Sequence, residues 1–502
     1  MTLADQLPVL LIAISILASL LILATGWYDR RFCYPIALIT ILSQFLASIV
    51  ILLQVLDGGT IRYYLGNWSP PLGIELVIDS FNGFILVAIL LLAAATIIYA
   101  RRSVEKEITP EKIVSFYVLF QLLVTGLVGM TITGDLFNLY VFLEISSIAA
   151  YTLIASSRRS HSYVAGFNYL ILGSIAAGFI LLGIGNLYVT TGTLNMAELA
   201  AMLPASYHLA TVHSAFLFLI IGFSIKVAFF PLHLWLPDAY TESPSAVTVL
   251  ISTVMAKVSV YALFRILFTV FTTAYIIDSF PVTGFILLMA TVAIIAGAVL
   301  AIAQEDLKRM LAYSSISQIG YIMFALGVTN EIALEGGILH ILGHAVMKGC
   351  LFMVAGVIIY RMGTSRLSDM KGLSKTMPIS CAAFALAGAS MIGIPPTIGF
   401  MSKYYLVLGA FEAGLWPYAV VLLIGSLLAA IYIWRFIEIA YFGDPHGGHG
   451  GDHHGHATER EAPLSMLAPM VGLALLCLIF GIFVEVLMQA VAPAALLLLG
   501  GA

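Results

Sequence analysis

The sequence predicts an all-α polytopic membrane protein of about fourteen transmembrane helices, containing two inverted five-helix repeats. Three observations carry that expectation. First, 61% of the 502 residues are hydrophobic and only 10% are charged, at a mean hydropathy of +1.06. No water-soluble fold of this length hides so much apolar side chain, so the bilayer must be the solvent. Second, runs of roughly 20 apolar residues, each able to cross a core about 30 Å thick as a helix, recur fourteen times. Third, two of those runs carry proline near mid-depth, and they lie five runs apart.

The first run, about 7–27, is too long for a signal-peptide core. It lacks a basic leader and a small-residue cleavage site, so it reads as a retained transmembrane helix. With 34–56 and 78–100 it forms an N-terminal block, residues 1–110. Spans four to eight (112–133, 136–156, 164–188, 210–237 and 244–270) make a first repeat over 111–272. Spans nine to thirteen (280–303, 307–328, 332–361, 378–411 and 416–442) make a second over 273–442. A His/Gly-rich loop and span fourteen, 464–498, fill 443–502. The 57–77 loop, with Gly58-Gly59 and Pro70-Pro71, carries the turn signals of a short hairpin. In the 189–209 loop, Thr193-Leu194-Asn195-Met196 is a plausible helix start.

Loop charges test the count. With the N-terminus outside, sixteen Lys and Arg, Lys308 and Arg309 among them, fall on the cytoplasmic side and only Arg62 outside. That is a strong positive-inside bias, and it places both termini on the outer face. The prolines are Pro231, after Phe229-Phe230 in span seven, and Pro395-Pro396, after Gly393-Ile394 in span twelve. Proline breaks a helix, and a break at membrane depth is tolerated where it lines a polar cavity. Each break falls in the fourth helix of a five-helix unit. Because five is odd, the second unit enters the membrane from the opposite side, the pattern of an inverted repeat.

Five ionisable side chains lie where the bilayer centre should be: Glu144, Lys226, Lys257, Lys348 and Lys403. A charge there costs about 2.5–3.5 kcal/mol on insertion scales, so five together point to a proton relay. Glu144 and Lys226 form a candidate pair coupled to Lys257; a static buried ion pair is the competing reading. His340, His344 and Lys348 fall at i, i+4 and i+8 on one face of span eleven. Histidine titrates near neutrality and passes protons both ways. Lys403 follows the second break and lies toward the outer leaflet. Asp135 is a candidate cap of span five or an attractor of cations, and His233 a candidate accessory to the relay. Arg265, near the outer end of span eight, reads as an interfacial anchor. Tyr313, Ser314, Ser315, Ser317, Gln318 and Tyr321 make span ten polar without charging it.

No nucleic-acid footprint accompanies a net charge of −4. The four cysteines, Cys33, Cys350, Cys381 and Cys477, are too scattered for a disulfide set or a metal knot. The run His446–His456 invites a metal, but its glycines argue for a linker without fixed coordination geometry. No haem motif, cysteine cluster or nucleotide loop is present, so no cofactor, no metal and no covalent chemistry are expected.

These residues resemble a known pattern. Gly134-Asp135-Leu136-Phe137-Asn138-Leu139-Tyr140-Val141-Phe142-Leu143-Glu144 is similar to the span-five signature of antiporter-like subunits. So are Lys226 with Phe230-Pro231-Leu232-His233-Leu234-Trp235-Leu236-Pro237, Lys257 with Val258-Ser259-Val260-Tyr261, and the run from Asp306 to Tyr321. The resemblance covers essentially the whole chain. It is to the large proton-conducting subunits of respiratory complex I, energy-converting hydrogenases and Mrp-type cation/proton antiporters. Gly192-Thr193-Leu194-Asn195-Met196-Ala197-Glu198-Leu199-Ala200, the Asn138–Glu144 stretch and Lys403 point to the D-type subunits of the Mrp antiporters.

The resemblance implies a secondary transporter subunit of a bacterial inner membrane, not an enzyme. Protons would move through the Glu/Lys/His relay, coupled to sodium or potassium efflux. Glu144 and Lys226 would form the switching pair, Lys257 and the histidines the bridge, and Lys403 the terminal site. Its partners would be a large A-type and small C-, E-, F- and G-type subunits. Two alternatives stay open: a pumping subunit of complex I or of a membrane hydrogenase, and a membrane scaffold with an inert charge row.

Overall fold

The computed structural model describes residues 6–443 and 461–500. The run His446–His456 lies outside the described residues. Thirteen helices are long and apolar enough to cross a membrane. Span twelve adds a fourteenth crossing, made of two shorter helices, Pro378–Ile392 and Ile398–Glu412. Among the described residues the chain is all-α apart from the expected hairpin, in which Ile61–Tyr64 pairs antiparallel with Glu75–Ile78.

Helix starts are fixed by the residue types that cap best. Asp79 and Asn82 close a capping box on span three, Ser80–Glu107. Asp135 accepts from Asn138 N at 2.7 Å at the head of span five, Leu136–Ile154. Asp306 accepts from Arg309 N at 3.0 Å at the head of span ten, Leu307–Val328. Asn330 caps span eleven, Glu331–Met362. The Asp135 carboxyl is raised by burial, against the backbone N–H groups of Asn138 and Phe137, which lower it.

Two segments five spans apart match in detail. Span six, His161–Thr191, ends at Gly192 with φ +76, and span eleven ends at Gly363 with φ +74. Only glycine takes this left-handed cap without strain. In both copies the next residue is threonine, whose hydroxyl donates to an acid five positions on: Thr193 to Glu198 at 2.5 Å, Thr364 to Asp369 at 2.8 Å. Both copies then pair with the turn before a capping aspartate. Leu136 N donates to Leu194 O at 2.9 Å, and Leu307 N to Ser365 O at 2.8 Å. Five crossings separate the two copies, so they sit at opposite ends of the bundle.

Span seven runs as Ala210–Val227, breaks at Ala228 (φ +58) and Pro231, and resumes as Leu236–Glu242. Span twelve breaks at Gly393 (φ +95) and Pro395-Pro396. A Cβ on Gly399 would fall 1.8 Å from the Ser390 carbonyl oxygen, so glycine lets the two halves of span twelve cross closely. Span eight, Ser245–Val270, and span eleven are each buried throughout their most apolar 18-residue stretch. Two π-helical turns, Ile251–Met255 and Arg265–Val270, interrupt span eight on either side of Ala256–Phe264. Such turns recur at functional sites.

Three expectations need correction. Span fourteen ends at Ile482. Beyond Phe483 a separate helix, Val484–Leu498, lines cavities at the hairpin end, because apolar composition alone does not mark a bend. Lys308, counted as a loop cation, is buried in span ten and donates to Ser243 O at 2.7 Å. Arg265 is no interfacial anchor: it is buried and ion-paired with Asp79, the cap of span three.

Candidate proton path

Every candidate relay lysine is buried, and each has acceptors within reach. They differ in whether a carboxylate is among their neighbours. Lys226, in the last turn of the first half of span seven, donates to Ser147 Oγ at 2.8 Å and to the Tyr151 hydroxyl at 3.1 Å. Glu144 Oε1 lies 4.0 Å from its Nζ, the outer limit of an ion pair. That oxygen has no hydrogen-bond partner, although the Glu144 side chain is 29% exposed on the flank of the chain. The pair is therefore a loose contact, with the lysine held by hydroxyls rather than by the acid.

Lys257 sits between the two π-helical turns and donates to Ser252 O at 2.7 Å. That carbonyl belongs to the first π turn, where the ordinary helical pairing is interrupted. Lys348 donates to Leu311 O at 2.6 Å and to Ser314 Oγ at 2.5 Å, both on span ten. Lys403 uses the second break. Its Nζ donates to Met391 O at 2.7 Å and Ile392 O at 3.2 Å, the last carbonyls of the first half-helix, and to Ser426 Oγ at 3.1 Å. The negative end of a helix dipole thus faces the ammonium. The Tyr321 ring lies 4.5 Å from the same nitrogen. Among the described residues, none of these three lysines has a carboxylate within ion-pair distance.

The histidines lie between the lysines. His340 bonds Ser402 Oγ through Nδ1 at 2.8 Å and Gln318 Oε1 through Nε2 at 3.1 Å. Ser402 is the neighbour of Lys403 in sequence. His344 stacks one turn away, ring centroids 6.1 Å apart, and neither of its nitrogens has a hydrogen-bond partner among the described residues. Span eleven thus carries His340, His344 and Lys348 as one buried row, which His340 links to Ser402, the neighbour of Lys403.

Lys226 and Lys257 are not hydrogen-bonded to one another among the described residues. Aromatic groups lie between them: Tyr151 meets Tyr169 edge-on at 4.7 Å, and the Tyr169 hydroxyl reaches Met255 Sδ at 3.6 Å. His233 is buried in the first break and stacks on Phe230 at 5.1 Å, and its Nδ1 has no partner. Among the described residues no hydrogen bond joins it to the lysines. Asp135 acts as the helix cap.

Sequence reasoning missed the polar groups that hold the row: Ser147, Tyr151, Ser402, Ser426 and four backbone carbonyls. A signal existed for two of them. Ser147 and Tyr151 lie three and seven residues after Glu144, on its helix face. The carbonyls leave no trace in side-chain identity.

The family model for the NADH:quinone oxidoreductase/Mrp antiporter transmembrane region matches residues 133–429. The N subunit of the NADH-quinone oxidoreductase of Desulforudis audaxviator is 45% identical over 501 residues, covering 98% of each chain. The D subunit of the Na(+)/H(+) antiporter of Alkalihalophilus pseudofirmus is 32% identical over 452 residues, 89% of this chain and 88% of that one. A chain in the structure of the Mrp complex from Dietzia sp. DQ12-45-1b superposes with a TM-score of 0.89 at 26% identity, covering 99% of this chain and 98% of its own.

Proposed function

The chain belongs to the NADH:quinone oxidoreductase/Mrp antiporter family of antiporter-like membrane subunits, and from that premise we propose that it is the proton-translocating subunit of a multisubunit sodium- or potassium/proton antiporter. The observation that carries this reading is the unequal neutralisation of the row. One lysine has an acid at 4.0 Å; three others are buried among dipoles and rings, with two histidines between them. A buried ammonium without a counter-ion is costly, and like charges in a low dielectric repel strongly. A proton on one member therefore disfavours a proton on the next, and the group titrates as a unit.

Opening the Glu144–Lys226 contact removes the one stabilising carboxylate. That change propagates along Lys257, His344, Lys348 and His340 to Lys403, at the second break. Hydroxyls of Ser147, Tyr151, Ser314, Ser402 and Ser426 supply hydrogen-bonded handholds for the proton. In this reading the membrane potential and the proton gradient drive the row, cation efflux is coupled to proton entry in an inner-membrane complex, and both termini face outside.

A second reading is favoured by one finding, the 45% identity to a quinone oxidoreductase subunit over nearly the full length of both chains. In it the same row is driven by a redox partner. Everted vesicles from a host without its own antiporters, carrying the whole operon, separate the two. Proton release on adding sodium or potassium chloride supports the antiporter. Proton uptake on adding an electron donor, with no response to either cation, replaces it with the redox pump.

A further inference from the structure

At the end of the bundle opposite the hairpin, the span one–two turn meets the end of span three and the start of span four. A cavity of about 610 Å³ opens there, lined by Arg30, Arg31, Tyr34, Arg101, Glu105 and Tyr117 among others. Its three arginines have no carboxylate within ion-pair distance among the described residues. Glu105 is engaged by Arg102 at 3.1 Å, and Asp29 by the backbone N–H of Arg31 at 2.9 Å. Arg101 lies over the Tyr34 ring at 5.3 Å, and Arg30 reaches Pro110 O at 3.5 Å. Each guanidinium carries five donors in a planar fork that matches an oxyanion, so most of their donors are unused.

Two further observations say what anion. Trp27, Tyr28 and Phe32, beside the cavity, are 93%, 91% and 51% exposed. Exposed aromatic rings of this kind sit at headgroup depth, where the abundant oxyanion is the lipid phosphate. From the cavity wall an exposed apolar stripe then runs into the membrane along span two, Cys33–Gly58. It consists of Pro35, Ile39, Leu42, Leu46, Val50 and Leu53, spaced three or four residues apart on one helix face. At 1.5 Å per residue it is about 27 Å long, close to the thickness of a hydrocarbon core.

We propose that this cavity binds the phosphodiester headgroup of an anionic glycerophospholipid, whose acyl chains lie along the exposed face of span two. Basic pockets between helices on the cytoplasmic side hold such headgroups. The bound lipid would tie the span one–two turn to the head of span four, which Arg30 and Arg101 already face. Lipid binding here does not depend on the transport reading, and either can fail alone.

The test uses the assembled complex, purified in mild detergent and reconstituted into nanodiscs of phosphatidylcholine with phosphatidylglycerol. Native mass spectrometry then counts the lipids retained. The wild type should keep one phosphatidylglycerol at this site, and Arg31→Gln/Arg101→Gln should lose it. Inorganic phosphate should not displace it. Equal retention by the variant overturns the proposal, and displacement by phosphate reduces the site to a free-anion site. A photoreactive residue at Ile39, with all arginines kept, gives an independent reading should the double variant fail to assemble. Cross-linking to lipid supports the proposal; cross-linking to a polypeptide shows a protein partner on this face and overturns it.

Discussion

Removing the acid from the loose Glu144–Lys226 contact and removing a lysine from the row have the same expected consequence. Glu144→Gln and Lys257→Met each leave the helices intact, because each replacement keeps the side-chain length. Each should lower proton movement in vesicles by at least about tenfold, with assembly on a native gel unchanged. The Asp79–Arg265 pair behaves differently. It is buried, and Arg265 also donates to the Tyr261 hydroxyl at 3.0 Å. Removing one partner of such a pair leaves an uncompensated charge and costs about 3–5 kcal/mol. Arg265→Ala should therefore lower the melting temperature of the purified complex, where Lys257→Met does not. The relay lysines and both histidines were legible in the sequence because a charge at bilayer depth is conspicuous. Asp79 was not, since its partner lies 186 positions away on another span and nothing local announces the pairing.

Broken and capped helices place these groups. The prolines of spans seven and twelve were legible because proline cannot continue a helix. What they accomplish was not, since it depends on carbonyls: the break in span twelve frees Met391 O and Ile392 O to hold Lys403. Gly399 keeps the two halves close. Gly399→Val places bulk against the Ser390 carbonyl, so it should abolish transport, and the complex should assemble poorly or lose heat stability. The caps test more gently. Asp135→Ala and Asp306→Ala remove helix caps, which should cost about 0.5–2 kcal/mol each; Asp306→Ala also loses the bond from the Ser365 hydroxyl, so its melting temperature should fall further. The π turns of span eight carry no sequence signal, and neither does the bend at Phe483. The first π turn and the Val484–Leu498 helix pack against span eleven, a long-range contact that no local pattern announces.

At the scale of the molecule, the expected inverted repeat predicts that two five-helix units face opposite sides of the membrane. The Gly-Thr latch after spans six and eleven marks the equivalence. The four native cysteines are buried, so the inversion can be read by labelling. His208→Cys and Ser368→Cys, both at exposed loop positions, should react with a membrane-impermeant thiol reagent from opposite sides: His208 outside, Ser368 inside. Labelling of both from one side would contradict the repeat. The proposed row from Lys257 to Lys403 draws on spans eight, eleven and twelve, so the central claim concerns protons rather than packing. The most direct measurement is proton movement in sealed vesicles carrying the assembled complex, wild type against Lys257→Met, under whichever gradient or donor drives the wild type. Loss of proton movement with full assembly is the predicted result. An unchanged rate in the fully assembled variant would make the row a structural feature and contradict the account.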